Sequence, residues 1–434
     1  MPVCARFRGV RHSAGAAALF AGMLLALASP VWAVSDAEIV SLIARGQTEA
    51  ARRLYATTDP TAIDWLFFAG RVAKAAGRFE EAAETFREVL RRDPSYINAK
   101  RELAHTLLLG EDYRISAHHF RELLRRDPEP AFRPGYVHFL QEIDRLRPLS
   151  ISGHLAIIGS SNVNRGSSEA EFRPGIPNVP SFGITSQAEP GHGLEAGVSG
   201  RYRWAGEGAY RWTLGWGLVG RKFDQSIHDS ATLSTRIRFG RLSERTRWSA
   251  GPFLRATWAA DEDHNVAVGL GVSFDRRLTR NTTLFFNGST ERRRYLNEDG
   301  LDGPSHLFQA GLARALPLGS VSVGSRLRFH QPETEHQRYT ERALFTRLSR
   351  SWRGGLHGSI GLEVGQRSYA ADFPLAGHAR QDDFYRVNLS ARHDTIHFGR
   401  FTPLMNCTFG NTESNIAFFE HSVDECIIGV TTRF

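Results

Sequence analysis

From Pro148 onward the side chains alternate apolar and polar with a period of two, and the pattern persists to the C-terminus. Tyr210, Trp212, Leu214, Trp216 and Leu218 interleave with Arg211, Thr213, Gly215 and Gly217. Val266, Val268, Leu270, Val272 and Phe274 do so with Ala267, Gly269, Gly271, Ser273 and Asp275. Val321, Val323, Leu327 and Phe329 stand against Ser320, Ser322, Arg326 and Arg328, and Ile360, Leu362 and Val364 against Gly361 and Glu363. Because successive side chains of a strand point to opposite faces, each run is a strand with one apolar and one polar face. The runs are about 10–13 residues long, enough to cross a bilayer at a tilt.

Short turns (Ala205-Gly206-Glu207-Gly208, Leu318-Gly319) alternate with longer polar segments (163–189, 295–304, 370–380). That asymmetry separates a membrane barrel from a soluble sandwich, whose short strands are joined by Greek-key loops. A bilayer offers no water to an unpaired strand edge, so the set must close on itself. Strands are expected to start near 150, 191, 210, 231, 247, 265, 281, 305, 319, 338, 356, 382, 401 and 421. Fourteen is an even number, which leaves both barrel ends on the periplasmic side. Ile428, Val430, Thr432 and Phe434 share a face, and a terminal aromatic on an alternating strand resembles the signal read by the barrel-assembly machinery.

The polar faces define the expected lumen. Arg201, Arg203, Arg211, Arg221, Arg236, Arg238, Arg255, Arg326, Arg328, Arg367, Arg386 and Arg392 should point inward, among Glu195, Asp275 and Glu363. Either these groups form an arginine–carboxylate network that packs the interior, or they line a basic passage for an anionic solute or chain. The packed interior is favoured, since barrels of this size commonly fill part of their lumen. Cys407 and Cys426 fall symmetrically about a 412–420 loop, so a regular hairpin would set them face to face and export would permit a disulfide.

Upstream of Pro148 the period changes to that of a helix, over residues rich in Ala, Leu, Glu and Arg. Arg87-Glu88-Val89-Leu90-Arg91-Arg92-Asp93-Pro94 nearly recurs as Arg121-Glu122-Leu123-Leu124-Arg125-Arg126-Asp127-Pro128, 34 residues on, and Asp59-Pro60 lies another 34 upstream. This is the tetratricopeptide period. Gly70, Ala82 and Phe86 occupy the small, small and aromatic positions of that pattern, and Phe120 repeats Phe86. About three repeats are expected, with a concave surface for a protein partner.

At the N-terminus Arg6, Arg8, Arg11 and His12 precede an apolar run from Ala14 to Ala28, and Val31-Trp32-Ala33 supplies small residues for a cut after Ala33. Cys4 has no lipobox around it. The organisation expected is a signal peptide over 1–33, a periplasmic tetratricopeptide-like helical domain over 34–147 and an outer-membrane barrel over 148–434. The fold class is α+β multidomain: all-α repeats, then a 14-stranded antiparallel transmembrane β-barrel.

Lys and Arg total 54, and 54 − 3 = 51 are arginine, for a net charge of +8. The arginines are spread along the chain without a dense tract, so the charge does not point to nucleic acid. His118-His119 with Glu122, His228-Asp229-Ser230, Asp382-Asp383 and His393-Asp394 have the residue types of reactive clusters. Each reads instead as solvated charge on a helix face or near a turn or loop. No nucleophile elbow, P-loop, His-Glu-x-x-His or zinc spacing occurs, so neither catalysis nor a metal or other cofactor is expected.

The order of domains, together with Gly159-Ser160-Ser161-Asn162-Val163-Asn164 at the end of the first strand, resembles the surface lipoprotein assembly modulators (Slam proteins). Asn162, Val163 and Asn164 match the family's Asp-Ser-Asn-[Ile/Val]-Asn stretch, with Ser160 where Asp is usual. The resemblance covers nearly the whole chain after the leader. It implies a protein that helps surface lipoproteins or related secreted proteins cross the outer membrane. Clients of the family tend to carry small β-barrel domains and often serve iron or haem capture. The implied partners are such a client, periplasmic chaperones, the barrel-assembly machinery and outer-membrane lipid. An exopolysaccharide export barrel is the alternative, and a general porin would leave the repeats unexplained.

Overall fold

The computed structural model describes residues 30–434 apart from 175–177, 207–208, 261–263, 318, 353–354, 375, 394–395, 397–398, 400 and 434. The expected leader core and Phe434 lie outside the described residues. Two compact units part between Ile143 and Asp144.

The first unit is helical: α1 (Pro30–Ala44), α2 (Thr48–Ala56), α3 (Ala62–Ala75), α4 (Phe79–Arg92), α5 (Ile97–Leu109), α6 (Tyr113–Arg126) and α7 (Arg133–Leu146), the last running past the boundary. α4 and α6 begin and end 34 residues apart, so the sequence period is a structural one. Each stops two residues before a proline, Pro94 or Pro128, which has no N–H to continue the helix and disfavours helix in the residue before it. α3 starts at a capping box in which Thr61 Oγ1 accepts from the Asp64 N–H and Asp64 Oδ2 accepts from the Thr61 N–H. Phe86 and Phe120, at equivalent positions, are fully buried. Gly70 is where α3 meets α4: a Cβ there would sit 2.6 Å from a ring carbon of Phe86, so a side chain at 70 and the ring at 86 exclude one another. At the far end of the stack Asp127, fully buried, accepts from the Arg101 guanidinium at 2.7 and 2.8 Å and from the Tyr136 hydroxyl.

One charged contact sets how this unit responds to acid. Lys74 Nζ donates to Glu102 at 2.6 Å and to His105 Nδ1 at 2.8 Å, which requires His105 to be neutral. Burial, with the Lys74 ammonium beside it, pushes His105 down to about 4; burial, with His118 next, does the same to His119. In the unfolded chain both would titrate near 6.5, so between that pH and 4 the unfolded state binds more protons. The stabilisation is therefore complete above pH 6.5 and is lost as pH falls towards 4. We expect the helical unit to lose about 2–3 kcal/mol per histidine over that window. Urea unfolding of the full chain, followed by helical circular dichroism at pH 7.5 and 4.5, tests this; equal midpoints would refute it.

The second unit is the barrel. Its strands are β1 (Leu149–Ser160), β4 (Gly191–Ala205), β5 (Tyr210–Phe223), β6 (Ser230–Leu242), β7 (Thr246–Ala259), β8 (Asn265–Arg277) and β9 (Thr282–Tyr295). They continue with β10 (Gly303–Leu316), β11 (Gly319–His330), β12 (Tyr339–Ser351), β13 (Leu356–Phe373), β14 (His378–His393), β15 (Phe401–Ser414) and β16 (His421–Arg433). Each pairs antiparallel with its neighbours, and β1 pairs with both β4 and β16, so the fourteen strands close. Two short strands, β2 (Glu171–Phe172) and β3 (Phe182–Gly183), pair with each other inside the loop between β1 and β4. Among the described residues the closing seam is the shortest pairing in the barrel: nine residues of β1 face β16, against twelve facing β4.

The apolar face of the alternation points out. Ile157 is 66% and Leu344 64% exposed, and Leu155, Leu194, Val268, Leu270, Val323 and Ile428 lie on the same outer surface. Around the turn ends of β4–β7, Trp204 stacks on Trp212, Trp212 packs on Phe239, and Phe239 is stacked on Tyr210. Such an aromatic girdle beneath an apolar band is the interface signature of an outer-membrane barrel. Among the described residues no helix is long and apolar enough to cross a membrane.

Two sequence expectations need correction. The segment 370–380 is not a long polar loop: β13 runs to Phe373 and β14 starts at His378. Asp382-Asp383 therefore lies in a strand rather than near a loop, with Asp382 fully buried between Arg380 and Arg367. Eight of the fourteen strands are also longer than expected, at 14 residues or more and up to 18 in β13.

Candidate functional site

Barrel closure turns the polar faces inward and brings side chains far apart in sequence onto one wall. The pairing follows the register. Arg328 stands opposite Glu341, Glu341 opposite Arg367, Arg367 opposite Asp382 and Glu363 opposite Arg386. Cross-strand neighbours of opposite charge stabilise a sheet, and the guanidinium fork suits carboxylate oxygens. A continuous ladder results. Arg386 reaches Glu363 at 3.2 Å, and Arg326 bridges Glu363 at 2.6 Å and Glu341 at 3.0 Å. Arg367 joins Glu341 at 2.8 Å to Asp382 at 3.8 Å. Glu341, 1% exposed, is its centre.

Elsewhere the lumen holds smaller clusters. Glu195 meets Arg221 at 2.8 Å and His154 at 3.0 Å. Arg203 and Arg211 both meet Asp144, and Arg247 meets Asp275 at 2.5 Å. Arg255 and Arg293 share Glu291 at 2.9 Å each. Arg201 lies on the same face in β4, opposite Gly215, and Arg392 lies near the turn end of β14.

Three of the sequence-named arginines stand apart. The Arg236 and Arg328 side chains make no hydrogen bond or close ion pair among the described residues, although Arg328 faces Glu341 across β11–β12, and Arg238 donates to the Ser249 hydroxyl at 3.3 Å. All three line one cavity of 430 Å³ on the β5–β11 side of the lumen. The acidic partners Glu291 and Glu341 are not singled out by the sequence, and neither is Arg293; Asp382 is, but as solvated charge rather than as a lumenal partner. Their strand parity was readable, but which charge meets which depends on register between strands.

The Ser160–Asn164 stretch has a distinct part in the structure. Asn162, 2% exposed, donates from Nδ2 to the carbonyls of Gly166 and Ser422 at 2.9 and 3.1 Å, while its Oδ1 accepts from the Gly166 N–H at 2.8 Å. Asn164 Nδ2 donates to the Gln187 carbonyl, and its Oδ1 accepts from the N–H groups of Gly166 and Glu189. The Val163 N–H donates to the Glu189 carbonyl. The stretch thus ties both ends of the 161–190 loop together and to β16. Further along that loop Phe172 and Ile184 pack with Ala376 and Ile416 from two other loops, burying an apolar cluster at the rim.

Cys407 and Cys426 are directly opposed on β15 and β16, with Cα atoms 4.1 Å apart and their Sγ atoms bonded. His228 meets Glu189, and Asp229 accepts from Lys222 and the Phe223 N–H, so these loop residues are engaged in rim contacts. Among the described residues no three His, Cys, Asp or Glu side chains converge as metal ligands.

Residues 150–434 match the model of a family described as surface lipoprotein assembly modifier. Over 185 residues the chain is 24% identical to surface lipoprotein assembly modifier 2 of Neisseria meningitidis serogroup B, covering 39% of this chain and 36% of that protein. The match therefore spans little more than a third of the relative's length. Among solved structures, the Pseudomonas putida toluene transporter TodX is similar at a TM-score of 0.35 and 11% identity, over 68% of this chain and 92% of that one. Salmonella typhi OmpF in complex with daunomycin is similar at 0.35 and 8%, over 66% and 97%. These likenesses are too distant to bear on what this barrel handles.

Proposed function

The chain belongs to the surface lipoprotein assembly modifier family, and on that basis we propose that it helps carry lipoproteins, or related secreted proteins, across the outer membrane to the cell surface. The family match over the whole barrel is the observation that supports this most. In this reading the helical unit lies in the periplasm and receives the client, alone or from a chaperone. An even strand count returns the chain to the side from which β1 set out, and the barrel-assembly machinery inserts the barrel with its apolar band against lipid. The Asn162–Val163–Asn164 stretch sets the first outer loop rather than touching the client. Lumenal arginines act as packing partners or as client contacts, and no residue is assigned a catalytic role.

Protease shaving of intact cells that express a candidate lipoprotein, with and without this protein, tests the reading. The expected result is surface cleavage in its presence and protection in its absence, with the lipoprotein still made and still in the outer membrane. Unchanged exposure for every candidate client would turn the assignment to polymer export.

The Cys407–Cys426 bond is proposed to form in the exported protein. Maleimide labelling of denatured protein should give no adduct at these cysteines before reduction and two after it. Two adducts without reductant would remove the bond from the account.

A further inference from the structure

We infer that the cavity on the β5–β11 side of the lumen is a binding site for an acidic polypeptide segment, an inference that rests on the protein-export reading above and deepens it. The cavity holds 430 Å³ and is lined by Arg236, Arg238, Arg255, Arg293 and Arg328, with Glu291 the single carboxylate among its lining residues. Glu291 is already shared between Arg255 and Arg293. The surplus is therefore carried by Arg236 and Arg238, to which no carboxylate is bound among the described residues, while Arg328 faces Glu341 across the β11–β12 pair.

Elsewhere on the same barrel wall the fold supplies acids freely. The ladder through Glu363, Glu341 and Asp382 gives every one of its guanidiniums a carboxylate. Gathering two uncompensated guanidiniums beside three other arginines in one concavity is costly to the empty barrel, because like charges repel most where water is limited. An incoming carboxylate relieves that cost, and the planar fork of arginine binds carboxylate in a bidentate manner.

The wall beneath these groups is shaped for close approach. An added Cβ at Gly215 would lie 3.0 Å from Arg236 Nε, and one at Gly271 3.1 Å from an Arg238 terminal nitrogen. Glycine at both positions lets the guanidiniums lie flat on the wall and leaves the space above them open. Phe253 and Leu307 line the same cavity. Apolar surface between the cations suits a chain carrying acidic and apolar side chains better than a bare inorganic anion. Register extends the site along the barrel: Arg236 faces Phe253 in mid-wall, while Arg293 and Arg328 lie close to the loop ends of β9 and β11.

The test is titration calorimetry of the full protein in detergent with a hexaglutamate peptide, beside hexalysine, inorganic phosphate and polygalacturonate. Saturable, salt-sensitive binding of hexaglutamate alone is expected. It should weaken about tenfold or more in the Arg236→Gln/Arg238→Gln variant, which leaves every arginine that meets a carboxylate in place. Barrel folding is checked by heat-dependent mobility in detergent gels. If the double variant does not fold, Arg236→Gln alone carries the same expectation at a smaller fold-change. No saturable binding, or equal binding by a folded variant, overturns the site. Phosphate or polygalacturonate binding as tightly as hexaglutamate overturns the assignment to polypeptide. Failure of the shaving experiment with hexaglutamate binding intact would remove the export reading and leave the site, so the two failures are distinguishable.

Discussion

Glu341→Ala is expected to destabilise the barrel by about 3–5 kcal/mol, because it leaves two guanidiniums without their shared carboxylate in a dry part of the lumen. Glu341 is 1% exposed and is held by Arg326 at 3.0 Å and Arg367 at 2.8 Å. Those two arginines also reach Glu363 and Asp382, so the loss propagates along the ladder rather than ending at one pair. The effect should appear as a lower denaturant midpoint for loss of the heat-resistant barrel form on gels. Replacing Glu341 and Arg367 together with methionine should recover much of it, since removing both ions also removes their desolvation cost. A single-variant midpoint within experimental error of the parent would show that water reaches the ladder and screens it.

A comparable loss, about 3–5 kcal/mol, is expected in the helical unit for Phe86→Ala. The ring is fully buried, packs on Phe67 at a centroid distance of 5.7 Å and fills the space that Gly70 leaves open. Truncation opens a cavity between α3 and α4 that neither helix can close, because their crossing is fixed by the other contacts of the Ala82–Val89–Leu103 core. Urea unfolding of the full chain followed by helical ellipticity measures this, and the barrel signal should not move. Phe86→Leu should cost clearly less, as it keeps most of the buried volume. Equal costs for the two substitutions would mean that the aromatic shape, rather than the filled volume, is what the repeat requires.

Much of this architecture was legible in the sequence because it rests on local periods. Strand starts near 210, 265, 356, 401 and 421 coincide with those observed, since inside–outside alternation is written residue by residue. The 34-residue offset between Arg87–Pro94 and Arg121–Pro128 reappears in the bounds of α4 and α6. What was illegible depends on contacts across the sheet. Asp382-Asp383 reads in a linear view as solvated charge at a strand start near a loop, because a strand end whose inward face is charged has the local composition of a turn. The ladder through Glu341, and the two arginines, Arg236 and Arg238, left outside any such pairing, follow from inter-strand register. One residue of slip would have exchanged every partner. The rim cluster of Phe172, Ile184 and Ile416 was unreadable for the same reason: its members come from different loops.

The closure of the wall has a mechanical consequence. Among the described residues, adjacent strands along most of the perimeter are zipped over eleven or more positions, but β1 meets β16 over nine. One strand further round, the proposed Cys407–Cys426 bond would join β15 to β16. Under lateral load from the bilayer, the line along Ser152–Ser160 has the fewest backbone pairs, among the described residues, to resist separation of the wall.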